Sequence, residues 1–156
     1  MALKPDRIEH HTDISHFMNE TATRGVIVVH VTTTSGLGAA MDDASSVVQL
    51  ANVADGSGEA PAGLLLNDVV NLDLTRQHIN WHKDEVQIGG KVTVLKQGQV
   101  TTNMIVSATN PTPGAPAYFS TDGELTPTSS ANTTQIGRFV TSKDADGYAR
   151  VDINIT

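Results

Sequence analysis

Arg24-Gly-Val-Ile-Val-Val-His-Val31 opens the part of the sequence that decides the fold. Three similar stretches follow, namely Val47-Val-Gln-Leu-Ala-Asn-Val53, Ala60-Pro-Ala-Gly-Leu-Leu-Leu-Asn-Asp-Val-Val70 and Gly90-Lys-Val-Thr-Val-Leu-Lys-Gln-Gly-Gln-Val100. Each is a short apolar run, rich in β-branched residues and bounded by Gly, Pro, Asn or Asp. Because such residues fit a pleated, half-buried surface, these runs predict β-strands.

Working outward from this region, the same pattern predicts strands along most of the chain, at 25–33, 46–53, 62–66, 69–74, 86–88, 91–96, 99–107, 136–141 and 148–155. Turns are predicted at Gly89-Gly90 and Gln97-Gly98. Asp146-Gly147 is the strongest hairpin signal. After it, apolar and polar residues alternate up to Ile155, which predicts a final strand with one buried face.

The sequence therefore predicts an all-β fold, a small β-barrel or β-sandwich with an extended N-terminal arm. The arm is predicted at residues 1–24 and the β-domain at 25–156, with a long Pro-rich loop at about 108–135. Within the arm, Ile14, Phe17 and Met18 have the spacing of a short helical face that Asp13 could cap. We expect an extended segment with one helical turn, ordered by contact with another surface.

Composition excludes several classes of protein. The chain has 156 residues, a formal net charge of −7 and no cysteine. An acidic surface disfavours nucleic acid, and the absence of cysteine excludes disulfides and thiolate metal sites. The longest apolar runs, 26–29 and 63–66, are too short to span a bilayer, and the N-terminus lacks an apolar signal core. We expect a soluble, non-secreted protein with no nucleic-acid or membrane partner.

No motif in the sequence predicts a cofactor. Gly36-Leu-Gly38 follows a β-run, but Met41 stands where a dinucleotide-binding fingerprint needs its third glycine. Asp144-Ala-Asp-Gly147 resembles part of a calcium loop, yet Ile153 occupies the position of the bidentate glutamate. Turns account for both patterns, so we predict no cofactor.

Histidines suggest metal sites only weakly. His78 and His82 have a metal-compatible spacing, but no third ligand is evident. His10, His11 and His16, together with Glu9 and Asp13, could gather a metal or form a pH-sensitive contact, but histidines on an extended arm are more often solvated. We predict no metal site. The serines lie mainly in loops without a base at a recognisable spacing, so no catalytic residue is predicted and the protein is expected not to be an enzyme.

The order of these segments resembles the capsid cement, or head decoration, proteins of tailed bacteriophages. The resemblance rests on the stretches beginning at Arg24, Val47, Ala60 and Gly90, and on the ending Ile136-Gly-Arg-Phe-Val-Thr-Ser-Lys-Asp-Ala-Asp-Gly-Tyr-Ala-Arg-Val-Asp-Ile153. The resemblance covers residues 24–107 and 135–155. It rests on sequence patterns of strands and turns, which are of moderate specificity. The N-terminal arm and residues 75–85 fall outside the shared pattern.

The resemblance implies a structural virion protein on the outer surface of an expanded capsid, assembled in the host cytoplasm. Its partner would be the major capsid protein, and it would form a homo-oligomer, with a trimer favoured over a dimer. Binding that favours the expanded shell would stabilise contacts between capsid subunits. The arm could add a strand or short helix to a neighbour. Its predicted capsid-binding anchors are Leu3, Ile8, Ile14, Phe17 and Met18.

Two further expectations follow from this interpretation. Trp81 is a candidate interface anchor, because tryptophan is favoured at binding hot spots. Deleting residues 2–20 is expected to abolish capsid binding while leaving the β-domain folded.

Two other functions fit the sequence. One is a different phage structural component, such as a head fibre base or a tail protein, which repeats of a fibre or coiled coil would favour. The other is a small β-barrel ligand-binding module or enzyme, which a deep polar pocket or a specific metal would favour.

Overall fold

A computed structural model describes residues 2–31, 50–66, 72–73, 78–79, 85–86, 88 and 91–155 of the chain. In these residues the regular structure consists entirely of strands, which confirms the all-β prediction. The strands are β1 Ile8–Met18, β2 Ala22–Thr23, β3 Ile27–His30, β4 Leu50–Val53, β5 Pro61–Leu65, β6 Leu72–Asp73, β7 His78–Ile79, β8 Glu85–Val86, β9 Lys91–Thr102, β10 Pro116–Phe119, β11 Leu125–Thr126, β12 Gly137–Phe139 and β13 Ala149–Asn154.

The main sheet is close to a small barrel. Within the described ranges its strand order is β1-β4-β3-β5-β9-β13-β12-β10-β11. An additional pairing of β1 with β9 joins the first five of these strands into a ring. β9 is long enough to pair with β5 near its start and with β13 over residues 97–102, so it links the ring to the remaining strands.

Strands β3 and β5 of the ring are buried on both faces over most of their length, which explains their continuous apolar runs. Val26–Val29 and Ala62–Leu66 are buried without alternation. Ile27 and Val29 belong to the larger core, whereas Val26 and Val28 belong to a second cluster with Met18. Strands covered on two sides read as uninterrupted hydrophobic runs.

The hairpin predicted at Asp146-Gly147 is present between β12 and β13. The Asp144 N–H donates to the Tyr148 carbonyl at 2.8 Å, and Gly147 has φ +84°. The Asp144 carboxylate accepts the Tyr148 N–H at 2.8 Å, so the turn occupies the group that would serve a calcium loop. Beyond the turn, alternate residues of β13 are buried, as predicted.

Residues 8–18 form strand β1 rather than a segment with a helical turn. β1 runs antiparallel to β9, from Ile8 opposite Gln99 to Phe17 opposite Lys91. Asp13 does not cap a helix, because its carboxylate accepts the Ser15 N–H at 2.8 Å inside the strand. Mostly polar residues with one exposed face can still form a strand when a long neighbour supplies the hydrogen bonds.

The segment 108–135 is not one continuous loop, because it contains β10 and β11. Ala117, Phe119 and Leu125 from these strands are fully buried in the larger core. The turn predicted at Gln97-Gly98 is also wrong, since β9 continues through it. Trp81 lies outside the described residues, as do Gly36, Gly38, Met41, His82 and the Gly89-Gly90 turn.

Candidate functional site

The predicted anchors of the N-terminal segment do not share one surface. Ile8 and Ile14 are 44% and 53% exposed, so both are available to a partner. Phe17 is half-buried. Leu3 and Met18 are 2% and 1% exposed and pack in the protein's own cores. Only the two isoleucines therefore keep substantial apolar area for an external contact.

The first residues of the chain are fastened to the end of β9. The Lys4 N–H donates to the Thr101 carbonyl at 2.9 Å, and the Thr102 hydroxyl donates to the Ala2 carbonyl at 2.9 Å. The Lys4 ammonium stands 4.2 Å from the centre of the Tyr148 ring, within the range of a cation–π contact. These contacts hold β1 in place from its N-terminal side.

A cluster of ionisable residues lies at the other end of β1. His16 is fully buried, and its Nδ1 is 3.9 Å from Oδ2 of Asp13. The same oxygen is 3.1 Å from the Lys96 ammonium on β9. The His30 ring on β3 has its centre 5.5 Å from that of His16. The cluster therefore joins three strands of the ring.

Burial and charge shift the ionisation of this cluster in definite directions. Burial lowers the pKa of His16, and the Asp13 carboxylate opposes that effect only in part. Burial also lowers the pKa of His30, and Lys96 adds to the shift. For Asp13 burial acts in the raising direction, but hydrogen bonds from Ser15 and Lys96 outweigh it and hold the pKa well below its usual range. At neutral pH both histidines are uncharged and the only ion pair in the cluster is Asp13 with Lys96.

Two surface cavities are lined largely by polar residues. One, of about 430 Å³, lies beside β2 and is lined by the carboxylates of Glu20, Glu85, Asp122 and Glu124 over an apolar floor that includes Met104. The other, of about 340 Å³, lies on the outer face of β12 and β13 and is lined by Gln135, Gly137, Arg138, Asp152 and Asn154. The acidic cavity would repel anions and suit a basic side chain.

Neither cavity carries a recognisable catalytic arrangement. Among the described residues no group of three or more His, Cys, Asp or Glu side chains could hold a metal ion. His78 lies on β7, opposite Asp73 of β6. The residues that the structure describes include no helix long and apolar enough to cross a membrane.

The sequence pattern grouped His16 with Asp13 but did not predict that His30 and Lys96 lie beside them. Asp13, His30 and Lys96 come from three strands, and their meeting depends on pairings between β1, β4, β3 and β9. The only local signal was the position of His30 and Lys96, each at the end of an apolar run.

The comparison with known families accounts for nearly the whole chain. The family model described as XM1 gp53 minor capsid protein matches residues 10–155. No curated protein matches the chain. The matched range begins inside β1 and includes the rest of the ring and strands β10 to β13, so it covers nearly all of the fold described above. The chain belongs to the XM1 gp53 minor capsid protein family and is a structural protein of the phage virion.

Proposed function

We propose that the protein is a capsid cement, or decoration, protein that binds the outer surface of the mature expanded phage capsid. It stabilises contacts between subunits of the major capsid protein. The proposal is supported by membership of a minor capsid family and by the resemblance to cement proteins in residues 24–107 and 135–155. A structural capsid family also favours a role without catalysis.

One observation carries the assignment of the contact surface. β1 presents Ile8 and Ile14 to solvent, while the ends of the same segment are fixed by the buried residues Leu3 and Met18. In an extended strand these isoleucines would lie about 20 Å apart, enough to reach across a boundary between two subunits. Because the strand is already ordered before it binds a partner, binding costs little conformational entropy. We therefore assign the capsid contact to this face of β1, with Phe17 at its edge.

Oligomerisation forms part of the same proposal. A homo-oligomer, with a trimer favoured, would place several copies of β1 around one symmetry axis and raise the affinity through simultaneous contacts. Trp81 is retained as a proposed further anchor. The second candidate function is another structural component of the same virion, such as a head fibre base or a tail protein, and the family match fits it as well.

The test is co-sedimentation of the purified protein with expanded capsids from which decoration has been removed, beside unexpanded procapsids. We expect saturable binding to expanded shells only. Replacing both Ile8 and Ile14 by Asp should weaken that binding at least tenfold, because hot-spot truncations commonly cost more than 1.4 kcal/mol, or roughly a factor of ten.

Matched controls are available elsewhere on the surface. Ile88 is 66% exposed and Val140 is 41% exposed, so a double variant of Ile88→Asp with Val140→Asp introduces the same two charges at comparable exposure. This control should bind like the wild type. Equal weakening by both double variants would remove β1 as the contact, and no binding of the wild type to either shell would favour the fibre or tail function.

A further inference from the structure

His16 is the most unusual buried group in the described part of the chain. The side chain is fully buried, and neither Nδ1 nor Nε2 has a hydrogen-bond partner among the described residues. A neutral imidazole carries one donor and one acceptor, and buried polar atoms are nearly always paired. A leucine at this position would avoid that cost. The stability of the native state therefore gives no reason for a histidine here.

The surroundings of His16 favour its neutral form. The elements packed against β1 contribute His30 from β3 and Lys96 from β9, while β4 (Leu50–Val53) contributes no titratable residue. On β1 itself Asp13 is the nearest carboxylate, and it is already paired with Lys96. An imidazolium at His16 would thus be desolvated and would share one carboxylate with an ammonium group.

The hydrogen-bond ladder is interrupted beside this histidine. The register between β1 and β9 shifts between Asp13, opposite Val94, and His16, opposite Val92. Two further shifts occur nearer the start of β1, around His11. A bulged strand loses pairing locally and opens more easily than a continuous one. The buried histidine therefore lies at one of the irregular points of the pairing between β1 and β9.

We propose that the C-terminal half of β1, residues 13–18, is an acid-released strand. Uptake of protons by His16, assisted by His30, displaces this half of β1 from its position between β9 and β4. The ring of five strands opens there, whereas the pairing of β9 with β13 is kept. The release exposes Met18 and one edge of β9. This release is a property of the isolated chain, and it does not depend on the capsid contact proposed for β1.

The direction of the pH dependence follows from burial. A histidine that is held neutral in the closed state binds fewer protons than the same histidine in the open state. Closed β1 is therefore fully stable above the ordinary histidine pKa of about 6.5 and loses stability as the pH falls below it. Each histidine that takes up a proton on opening contributes up to tenfold per pH unit to the opening equilibrium. Asp13 stays charged throughout this window, because its pKa is well below the usual range.

Hydrogen exchange of the full-length protein, read by mass spectrometry from pH 8 to pH 5 and corrected for intrinsic rates, tests the proposal. Protection of residues 13–18 should fall at least tenfold between pH 7 and pH 5, relative to residues 149–154. His16→Leu should remove most of that change. Replacing the exposed His10 and His11 by Asn should leave it intact. Equal protection of residues 13–18 at pH 7 and pH 5, or an unchanged pH response in His16→Leu, would overturn the inference.

A second measurement does not depend on any variant folding. An NMR titration of the histidine ring protons in the wild type should show a lowered pKa for His16, with its midpoint below the ordinary histidine value of about 6.5, accompanied by broadening or loss of the β1 resonances. A midpoint for His16 at or above 6.5 would overturn the proposal. In Lys96→Met the midpoint should rise, since the ammonium opposes protonation of the ring.

Discussion

The backbone of Gly98 on β9 lies against the carbonyl of Ile8 on β1, so closely that a Cβ atom on Gly98 would stand 2.1 Å from the Ile8 oxygen. Gly98 also has φ +154°, a backbone angle that L-residues with a side chain rarely adopt. The residue that looks like a turn in the sequence is therefore a point of close backbone contact between β9 and β1. Glycine is needed there because no other residue leaves room for the neighbouring backbone.

Gly98→Ala should destabilise the protein severely. The new methyl group must displace β1 or shift β9, and the backbone angle adds strain, so we expect the free energy of unfolding to fall by about 3 kcal/mol. Urea unfolding at neutral pH measures the change. Hydrogen exchange should locate the loss of protection in residues 8–18 first.

Gly147→Ala is the matched control for this substitution. Gly147 has φ +84°, but nothing lies within 4 Å of an added Cβ. Only the backbone cost remains, roughly 1 kcal/mol. Equal destabilisation by the two alanines would show that backbone angle alone, and not the approach of β1, accounts for the requirement at Gly98.

The sequence predicted those parts of the fold that depend on neighbouring residues. Asp146-Gly147 fixes a hairpin through its own backbone preference, and the alternation along β13 reports a single buried face. Both signals act over a few positions. The apolar runs of β3 and β5 were recognised for the same reason, since strands covered on both faces keep their composition whatever their partners are.

The N-terminal strand could not be recognised in this way. The first residues of β1, from Ile8 to His11, are all exposed, so the strand has no buried alternation until His16 and Met18. Its hydrogen bonds come from β9, which is far away in the sequence. Ile14, Phe17 and Met18 fit a helical period by accident of spacing. Non-local pairing overrides a weak local pattern.

Substitutions at Leu3 and Ile14 distinguish predicted anchors that are buried in the protein's own core from those that are exposed to a partner. Leu3→Ala removes a side chain that is 2% exposed in the larger core, so it should lower the free energy of unfolding by about 2–4 kcal/mol. Ile14→Ala removes one that is 53% exposed and should change it by less than about 0.5 kcal/mol. Thermal or urea unfolding distinguishes them.

Truncation extends this comparison. The expectation that residues 2–20 can be deleted without unfolding the β-domain does not agree with the burial of Leu3, His16 and Met18 or with the pairing of β1 along β9. We now expect the truncated chain to lose cooperative unfolding. A sharp thermal transition at a temperature near that of the full chain would contradict this prediction. It would show that the β-domain folds without residues 2–20.

Asn132 fastens two distant loops and should be sensitive to replacement. It is 1% exposed, its Nδ2 donates to the Gly56 carbonyl at 3.1 Å, and its Oδ1 accepts the Glu59 N–H at 3.0 Å. Asn132→Ala leaves both backbone groups without this partner, so we expect a loss of about 1–3 kcal/mol in the free energy of unfolding. The exposed Asn103→Ala serves as the control and should have little effect. A loss below 0.5 kcal/mol at Asn132, on the scale of ordinary surface changes, would mean that water replaces both bonds.

Glu59 should make the protein less stable as the pH rises from acid toward neutral. Burial raises the pKa of this carboxyl above its usual 4.5, and Asp55 beside it adds repulsion. The folded state therefore binds more protons than the unfolded state just above pH 4.5, and the free energy of unfolding falls as the pH rises through that window. In Glu59→Gln the charge is removed, and the amide oxygen can take the place of the Glu59 Oε2 that accepts the Gly56 N–H, so this variant should raise stability slightly at pH 7 and flatten the pH dependence. Asp55→Asn should act in the same direction, and the double variant should gain less than the sum of the two, because both remove one repulsion. Urea unfolding of the three variants at pH 4, 5.5 and 7 tests the argument, and strictly additive gains would show that the two carboxyls do not interact.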